Sequence, residues 1–303
     1  MAVINQEDIP QDLWKNETLH MPICLIEAYR KQLQKYGVMN DVLDTKNMGG
    51  PIGGSSHQDT LQHFTYRYGV SACRVQSLAL DPYHAFDSIP DDLLTTLSAG
   101  RVSILDMPCG TGAAGASLLS TIAILRDKNK LPREPLDVMI TGGDCSPTGR
   151  VIYKKIIDNL KPYLATVGIN IWLATVDWDG TNPDSTAALV DAWLNSNSPG
   201  CTEFLTVIAN FSGAAGNHFA DFERSFLHIH ERLHDKTCTI IWVEPKMRSA
   251  DTLLKRVRSL FNFRSGTPNS QFTHLYSFYH PFQLRSWNCS VSVCKYNRGD
   301  IQR

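Results

Sequence analysis

One segment of the sequence, VSILDMPCGTGAAG at residues 102–115, limits the folds that this chain can adopt. A run of mostly apolar residues leads to Asp106, the closely spaced Gly110 and Gly112 follow, and small residues then begin a stretch rich in Ala, Leu and Ile. Glycines permit a tight turn, and the first amides of a helix are free to meet a ligand. The segment therefore predicts a strand, a ligand-binding turn and a helix.

The sequence from residue 101 onward alternates between strand and helix patterns. Five predicted strands, each followed by a helical pattern, lie at residues 102–106, 136–143, 169–176, 204–210 and 238–243, and two later β-rich runs at 272–279 and 290–296. This alternation predicts an α/β fold with a mostly parallel, seven-stranded sheet and helices on both faces. Residues 1–98 are predicted to form a mainly helical extension, and residues 99–303 the core domain.

The composition bears on whether the chain crosses a membrane, is secreted, forms disulfides or binds a metal. Of the 303 residues 43% are hydrophobic, but no run of about 18 apolar residues is present, so we expect no membrane span. The first ten residues contain acids and no apolar core, unlike a signal peptide. The eight cysteines form no C-x-x-C pair, which favours free thiols in the cytoplasm. His230 and His234 have metal-ligand spacing, but no third ligand accompanies them and we predict no metal site.

The glycine-rich segment has two interpretations. Residues 110–115 spell the dinucleotide-binding pattern G-x-G-x-x-G, whereas LDMPCGTG at residues 105–112 resembles the first motif of class I S-adenosylmethionine-dependent methyltransferases. Asp106 favours the second interpretation, because a carboxylate there would repel a pyrophosphate and suits the cationic amino group of a methionine moiety. Pro108 replaces the glycine usual in that family, although proline also fits a rigid turn.

The resemblance implies the activity and cofactor of an S-adenosylmethionine-dependent methyltransferase, with an antiparallel C-terminal strand. One alternative is a nicotinamide-dependent oxidoreductase, for which Asp144 follows the glycines at more than the usual distance of about 20 residues. The other is a non-catalytic, cofactor-binding subunit of the same fold.

Polar residues follow all five predicted strands. They are Asp106, Asp144, Asp177 with Asp179, Asn210 with Ser212, and Glu244. Because ligands of open α/β sheets bind outside the carboxyl ends of the strands, we expect these residues to meet at one edge.

The resemblance assigns roles to these residues. Asp144 would bind both ribose hydroxyls, since one carboxylate can accept two hydrogen bonds. Cys145 would lie beside the adenine ring, Asp177 would accept from its amino group, and Trp178 would cover its face. The predicted cofactor-binding set is Asp106, Pro108, Cys109, Gly110, Gly112, Asp144, Cys145, Asp177, Trp178 and Asn210.

The acceptor is left open between a small molecule and a nucleic acid. From Lys246 onward the sequence contains ten basic residues and two acidic ones. This positive charge is equally consistent with a nucleic-acid substrate and with a helix face exposed to solvent. By resemblance, Asn210 lies where amino-methyltransferases carry a residue that accepts from the amino group, but the two prolines that follow in those enzymes are absent. The predicted substrate-binding residues are Tyr66, Arg67, Arg74, Phe211 and Ser212, of which the arginines alternatively bind the methionine carboxylate.

No catalytic residue is predicted, because the sulfonium is already activated and positioning supplies much of the rate. A glycine-rich stretch at residues 48–56 is predicted to be a linker, with a lid or a phosphate-binding loop as the alternatives.

Overall fold

The computed structural model describes residues 4–43, 54, 56–195, 200–201, 203–215, 218–233, 238–265 and 271–298. Most of the predicted glycine-rich linker, and His234 of the predicted histidine pair, lie outside these residues. Within the described residues, no helix is long and apolar enough to cross a membrane.

The described strands form one nine-stranded sheet. In chain order they are β1 Trp14–Lys15, β2 Thr18–His20, β3 Gly100–Asp106, β4 Leu136–Asp144, β5 Ile169–Asp177, β6 Glu203–Ala209, β7 Cys238–Glu244, β8 Gln271–His280 and β9 Arg285–Arg298. Their order across the sheet is β1-β2-β8-β9-β7-β6-β3-β4-β5. Strand β9 pairs antiparallel with both β7 and β8, so the α/β class and the expected antiparallel C-terminal strand are confirmed.

The prediction of seven strands is wrong for a local reason. Strands β1 and β2 pair antiparallel with each other, and β2 then pairs parallel with β8 through residues such as Leu19 and Phe278. Two and three residues are too few to show an alternating pattern in the sequence. Their pairing satisfies one backbone edge of β8, so the N-terminal segment extends the sheet as well as supplying helices.

The described helices include those that the sequence pattern predicts near residues 112–126 and from Pro147 onward, and two short ones, at residues 39–43 and 212–215, that it does not predict. In chain order the described helices are α1 Ile23–Lys35, α2 Met39–Leu43, α3 His57–Leu80, α4 Ile89–Thr96, α5 Ala113–Asp127, α6 Pro147–Thr166, α7 Pro183–Asn195, α8 Ser212–Ala215, α9 Phe219–Arg232 and α10 Arg248–Ser265. A short 3₁₀ helix, Gln6–Asp8, precedes β1.

Two apolar clusters cover the two faces of the sheet. Ile104 of β3 belongs to the cluster formed with α1, α3, α5 and α6, whereas the next residue, Leu105, belongs to the cluster formed with α7, α9 and α10. Successive residues of a strand point to opposite faces, so a strand buried on both faces is apolar nearly throughout. The helices therefore cover both faces, as the sequence predicts.

Helix α3 is the element of the N-terminal segment that reaches the functional edge of the sheet. The Ser56 side chain accepts a hydrogen bond from the Asp59 amide at its start, and Asp81 ends it in the left-handed conformation. The Ser117 hydroxyl of α5 donates to the Ala72 carbonyl at 2.7 Å, which fixes α3 against the first helix of the core. The division at residue 98 remains a prediction, although α3 packs directly on the core.

Candidate functional site

A cavity of about 470 Å³ lies at the carboxyl ends of β3, β4, β5 and β6 and is covered by α3. The strand register brings Asp106, Asp144 and Asp177 to this edge. Of the predicted residues, those that line the cavity are Pro108, Cys109, Gly110, Asp144, Cys145, Trp178, Asn210 and Phe211. The predicted residues outside the lining are Asp106, Gly112, Asp177, Tyr66, Arg67, Arg74 and Ser212.

Asp144 connects the glycine turn to the start of α6. Its Oδ2 accepts from the Gly110 amide and its Oδ1 from the Ser146 amide, each at 2.8 Å. The side chain is nearly buried, and burial raises the pKa of Asp144 above its ordinary value while these two bonds oppose the rise. A carboxylate has about four lone-pair positions, so each oxygen can still accept a bond from a ligand in the cavity.

Asp106 lies beneath the turn and is fully buried. Its Oδ2 accepts from the Tyr153 hydroxyl at 2.9 Å and the Gly115 amide at 3.2 Å, but its Oδ1 has no hydrogen-bond partner among the described residues. Burial raises the pKa of Asp106 to about 7. The contact with a cationic ligand that the sequence suggested therefore stays a prediction, because Asp106 lies behind the cavity wall.

The hydroxyl of Tyr68 on α3 is the second buried polar atom here that has no partner among the described residues. Tyr68 itself lines the cavity, and burial together with the charge of Asp106 raises the pKa of its hydroxyl. Unpaired buried polar atoms are costly and uncommon in folded proteins. The Tyr68 hydroxyl, which lines the cavity near the charge of Asp106, therefore fits a cationic, hydrogen-bond-donating group such as the amino group of a methionine moiety.

The two glycines of the turn have different surroundings. Gly110 has φ +49°, lines the cavity, and a Cβ built there meets no heavy atom within 4 Å. Gly112 has φ +83°, and its Cβ would lie 1.9 Å from Cδ2 of Tyr153. Gly112 thus makes room for the buried tyrosine that holds Asp106. Its predicted role in cofactor binding remains a prediction. The peptide bond between Met107 and Pro108 in this turn is cis.

Three aromatic rings form one wall of the cavity, one from the segment after β5, one from the segment after β6 and one from α9. Trp178 is buried and donates from its indole N–H to Thr186 at 2.9 Å. Its ring lies 5.8 Å from that of Phe211, which contacts Phe222 edge to face at 5.0 Å. All three lining rings, Trp178, Phe211 and Phe222, offer an apolar surface suited to a planar heteroaromatic group.

Asp177 is directed away from this wall. Its side chain is 78% exposed and pairs with Nη1 of Arg150 at 2.5 Å, and the same guanidinium donates to the Asp144 carbonyl. The neighbouring Asp179 does line the cavity, and its Oδ1 accepts from the Thr181 amide at 2.9 Å as a turn-forming residue. The predicted contact of Asp177 with an adenine amino group stays a prediction.

Asn210 lies just beyond β6 with φ 57°, and its amide N–H donates to the Val243 carbonyl at 2.9 Å. Glu244, at the end of β7, fixes the next turn: its Oε1 accepts from the Phe211 amide and its Oε2 from the Ser212 amide. Glu244 is fully buried, and burial raises its pKa to about 7. Ser212 is therefore placed for support of the turn, outside the cavity lining.

Helix α3 contributes residues that the sequence analysis did not assign. Thr60, His63 and Ser71 line the cavity, and Arg67 and Arg74 continue the same three- and four-residue spacing. Burial and the charges of the two arginines lower the pKa of His63 to about 4, so its imidazole is neutral at physiological pH. The helical spacing of these polar residues was the available signal, because residues three and four apart share a helix face.

Most of the solved structures that this chain resembles are class I S-adenosylmethionine-dependent methyltransferases. Loganic acid methyltransferase with SAH is 8% identical, with 83% of this chain and 99% of that chain covered and a TM-score of 0.40. The SAM-dependent methyltransferase of Agrobacterium tumefaciens is 10% identical, with coverage of 69% and 59% and a TM-score of 0.37. Precorrin 8w decarboxylase of Methanobacterium thermoautotrophicum is 12% identical, with coverage of 69% and 89% and a TM-score of 0.35.

No protein-family model and no curated protein matches the sequence. At these identities, the similarity to solved structures concerns the fold alone. Among the described residues no three His, Cys, Asp or Glu side chains gather as a metal site.

Proposed function

We propose that this chain is an S-adenosylmethionine-dependent methyltransferase whose cofactor binds in the cavity above the glycine turn. The observation that carries this proposal is the 2.8 Å hydrogen bond from the Gly110 amide to Oδ2 of Asp144. Because of this bond, the Gly110 amide is not available to bind a dinucleotide pyrophosphate, and a carboxylate lies directly against the turn. A pyrophosphate would be repelled there, whereas a neutral ribose and a cationic sulfonium are compatible with it.

Different residues of the cavity would bind different parts of S-adenosylmethionine. Asp144 would accept from the ribose hydroxyls, and Trp178 and Phe222 of the aromatic wall would contact the adenine. Cys145 and Asp179 lie beside this wall. The Tyr68 hydroxyl would receive the amino group of the methionine moiety, with the charge of the buried Asp106 behind it, and the first turn of α5 would receive its carboxylate, because the first amides of a helix have no partner within the helix.

S-adenosylmethionine supplies a methyl group on a positively charged sulfur that leaves as a thioether. The chain therefore needs to position the acceptor in line with that methyl and to exclude water. Asn210 and Phe211 line the part of the cavity beyond β6, and Glu244 holds this turn through two backbone bonds. We assign acceptor positioning to this turn.

Calorimetric titration of the purified chain with S-adenosylmethionine, S-adenosylhomocysteine and NAD tests the proposal. We expect the first two to bind in the micromolar range and NAD to give no heat. Asp144→Asn should weaken the binding of S-adenosylhomocysteine by about tenfold or more, because asparagine has one acceptor oxygen for the Gly110 and Ser146 amides and the ribose loses a charged acceptor.

Asp137→Asn is the matched control. Asp137 lies on the same strand as Asp144 at the opposite end, where it pairs with Arg101 at 3.5 Å. This variant should bind S-adenosylhomocysteine as the wild type does. Binding of NAD in place of the sulfonium nucleoside would reject the proposed function, and an unchanged affinity in Asp144→Asn would reject the ribose assignment.

A further inference from the structure

The side chain of Asn210 has a defined orientation. Nη1 of Arg74 donates to its Oδ1 at 2.6 Å, and Nε of Arg74 donates to the Ser290 carbonyl at 3.0 Å. A guanidinium carries donors only, so the atom that faces it must be the amide oxygen. The side-chain amide nitrogen, Nδ2, of Asn210 has no hydrogen-bond partner among the described residues, and Asn210 lines the cavity. Its free hydrogen-bonding group is therefore a donor.

This orientation bears on the chemistry of the acceptor. A residue that accepts from an amino group about to be methylated needs a free oxygen. In Asn210 one of the two lone pairs of that oxygen is engaged in a short bond to a cation, whereas neither hydrogen of the side-chain amide is engaged among the described residues. Asn210 is thus better suited to donate to an oxygen of the acceptor than to accept from an amine.

Arg67 brings a positive charge close to the cavity, although its side chain is not among the lining residues, and it lies near Arg74, which bonds to Asn210. It lies on the α3 face between His63 and Ser71, both of which line the cavity, and it is half-buried. No carboxylate pairs with it in the part of the chain that the structure describes. Burial and the charge of Arg74 lower the pKa of Arg67, and its own charge lowers that of His63. A half-buried cation without a counter-charge is unfavourable until an anion binds.

The acidic residues that line the cavity lie at its other end. Within the described lining they are Asp144 and Asp179, beyond β4 and β5. The start of α3 lies at this acidic end, where Thr60 bonds to Ser146, whereas the end beside β6 is lined by neutral groups, among them Ser71 and Asn210. The cavity is therefore polarised, with negative charge near the proposed nucleoside site and an uncompensated positive charge near the proposed acceptor site.

We propose that the methyl acceptor is a small molecule with an anionic oxygen group, a carboxylate or a phosphate, that binds to the Arg67 guanidinium and the Asn210 amide nitrogen. This inference rests on the proposed function. The methionine carboxylate can bind without Arg67, because Ala113 and Ala114 of the first turn of α5 line the cavity and their backbone amides can donate to that carboxylate. A fork of parallel N–H groups matches a carboxylate or a phosphate.

The test uses the full chain saturated with S-adenosylhomocysteine. Inorganic phosphate and acetate are titrated separately at constant ionic strength, and the unfolding temperature is recorded. We expect one of the two to raise the unfolding temperature in a saturable way, which identifies the phosphate or the carboxylate as the recognised group. Arg67→Gln should weaken the affinity for that anion by about 10- to 100-fold, as expected for the loss of one charged pair of hydrogen bonds.

Two further variants separate recognition from folding. Arg67→Lys keeps the charge without the fork and should give an intermediate affinity, and Arg101→Gln, an arginine at the opposite end of β3, should bind the anion normally. Circular dichroism is used to check that each variant is folded.

Three results would overturn the inference. In the first, S-adenosylhomocysteine binds but neither anion saturates, which leaves the proposed function standing. In the second, Arg67→Gln binds the anion as tightly as the wild type. In the third, Arg67→Gln weakens S-adenosylhomocysteine but not 5′-methylthioadenosine, which lacks the amino acid portion; Arg67 would then bind the cofactor carboxylate. If S-adenosylhomocysteine itself fails to bind, both the inference and the proposed function fail.

Discussion

Replacement of Gly112 by alanine should destabilise the chain strongly, even though Gly112 does not line the cavity. The added Cβ would lie 1.9 Å from Cδ2 of Tyr153 and 2.4 Å from Cε2 and Cγ. The Tyr153 ring is fully buried and its hydroxyl is bonded to Asp106, so it has no free space to move into. The substitution therefore perturbs both the turn and the carboxyl beneath it.

Two physical terms set the size of the effect. A residue other than glycine at φ +83° costs about 1–2 kcal/mol, and overpacking of a buried ring costs about 1–3 kcal/mol more. We expect the free energy of unfolding to fall by about 2–5 kcal/mol. Gly110→Ala is the matched control, because Gly110 also has a positive φ but its Cβ would meet no atom within 4 Å. Its cost should be only about 1–2 kcal/mol.

Urea unfolding followed by circular dichroism measures both variants without ligand. A double-mutant cycle with Tyr153→Ala, which removes Cγ and the whole ring, then isolates the clash: in that background, Gly112→Ala should cost only the conformational term of about 1–2 kcal/mol. The reasoning is refuted if Gly112→Ala costs no more than Gly110→Ala, or if removal of the tyrosine ring leaves its cost unchanged.

Three further substitutions have defined outcomes. Because the folded-state pKa of Glu244 is raised to about 7, the wild type should lose stability relative to Glu244→Gln as the pH rises from about 4 through 7 in urea unfolding series. His63 has the opposite sign: its pKa is lowered to about 4, so the wild type should lose stability relative to His63→Gln as the pH falls from about 6.5 towards 4. Arg126→Met should lower the free energy of unfolding by about 3 kcal/mol and leave calorimetric binding of S-adenosylhomocysteine unchanged. Among the described residues, the Arg126 guanidinium bonds to carbonyls at the opposite ends of the strands, those of Ser98, Glu134, Val167 and Gly168. Parallel curves across the pH range, or a loss of affinity in Arg126→Met, would contradict these expectations.

The order of strands and helices in the core could be predicted because it is a local property of the sequence. The predicted strand at residues 136–143 is observed as Leu136–Asp144, and the helix predicted to begin at Pro147 is observed as Pro147–Thr166. Apolar runs and helical spacing depend on the residues of a single element. The carboxyl ends of parallel strands share one edge, so the meeting of Asp106 with Asp144 near the glycine turn followed from the same pattern.

The functions of individual side chains depended on packing between distant segments. Gly112 makes room for Tyr153, 41 positions later in the chain, and Oδ1 of Asn210 is engaged by Arg74 from an N-terminal helix. The pairing of β2 with β8 likewise joins two segments that are far apart in sequence. No periodicity within one element records such contacts.

The sequence alone determined the α/β architecture, the position of the glycine turn and the edge at which the polar residues meet, because hydrophobic period and turn residues act locally. Only the tertiary structure decided which of these residues line the cavity. It also decided that Asp106 is buried, that the Asn210 amide presents a donor, and that Arg67 has no counter-charge among the described residues. Burial and hydrogen-bond direction arise when separate elements pack together, so they are properties of the folded chain.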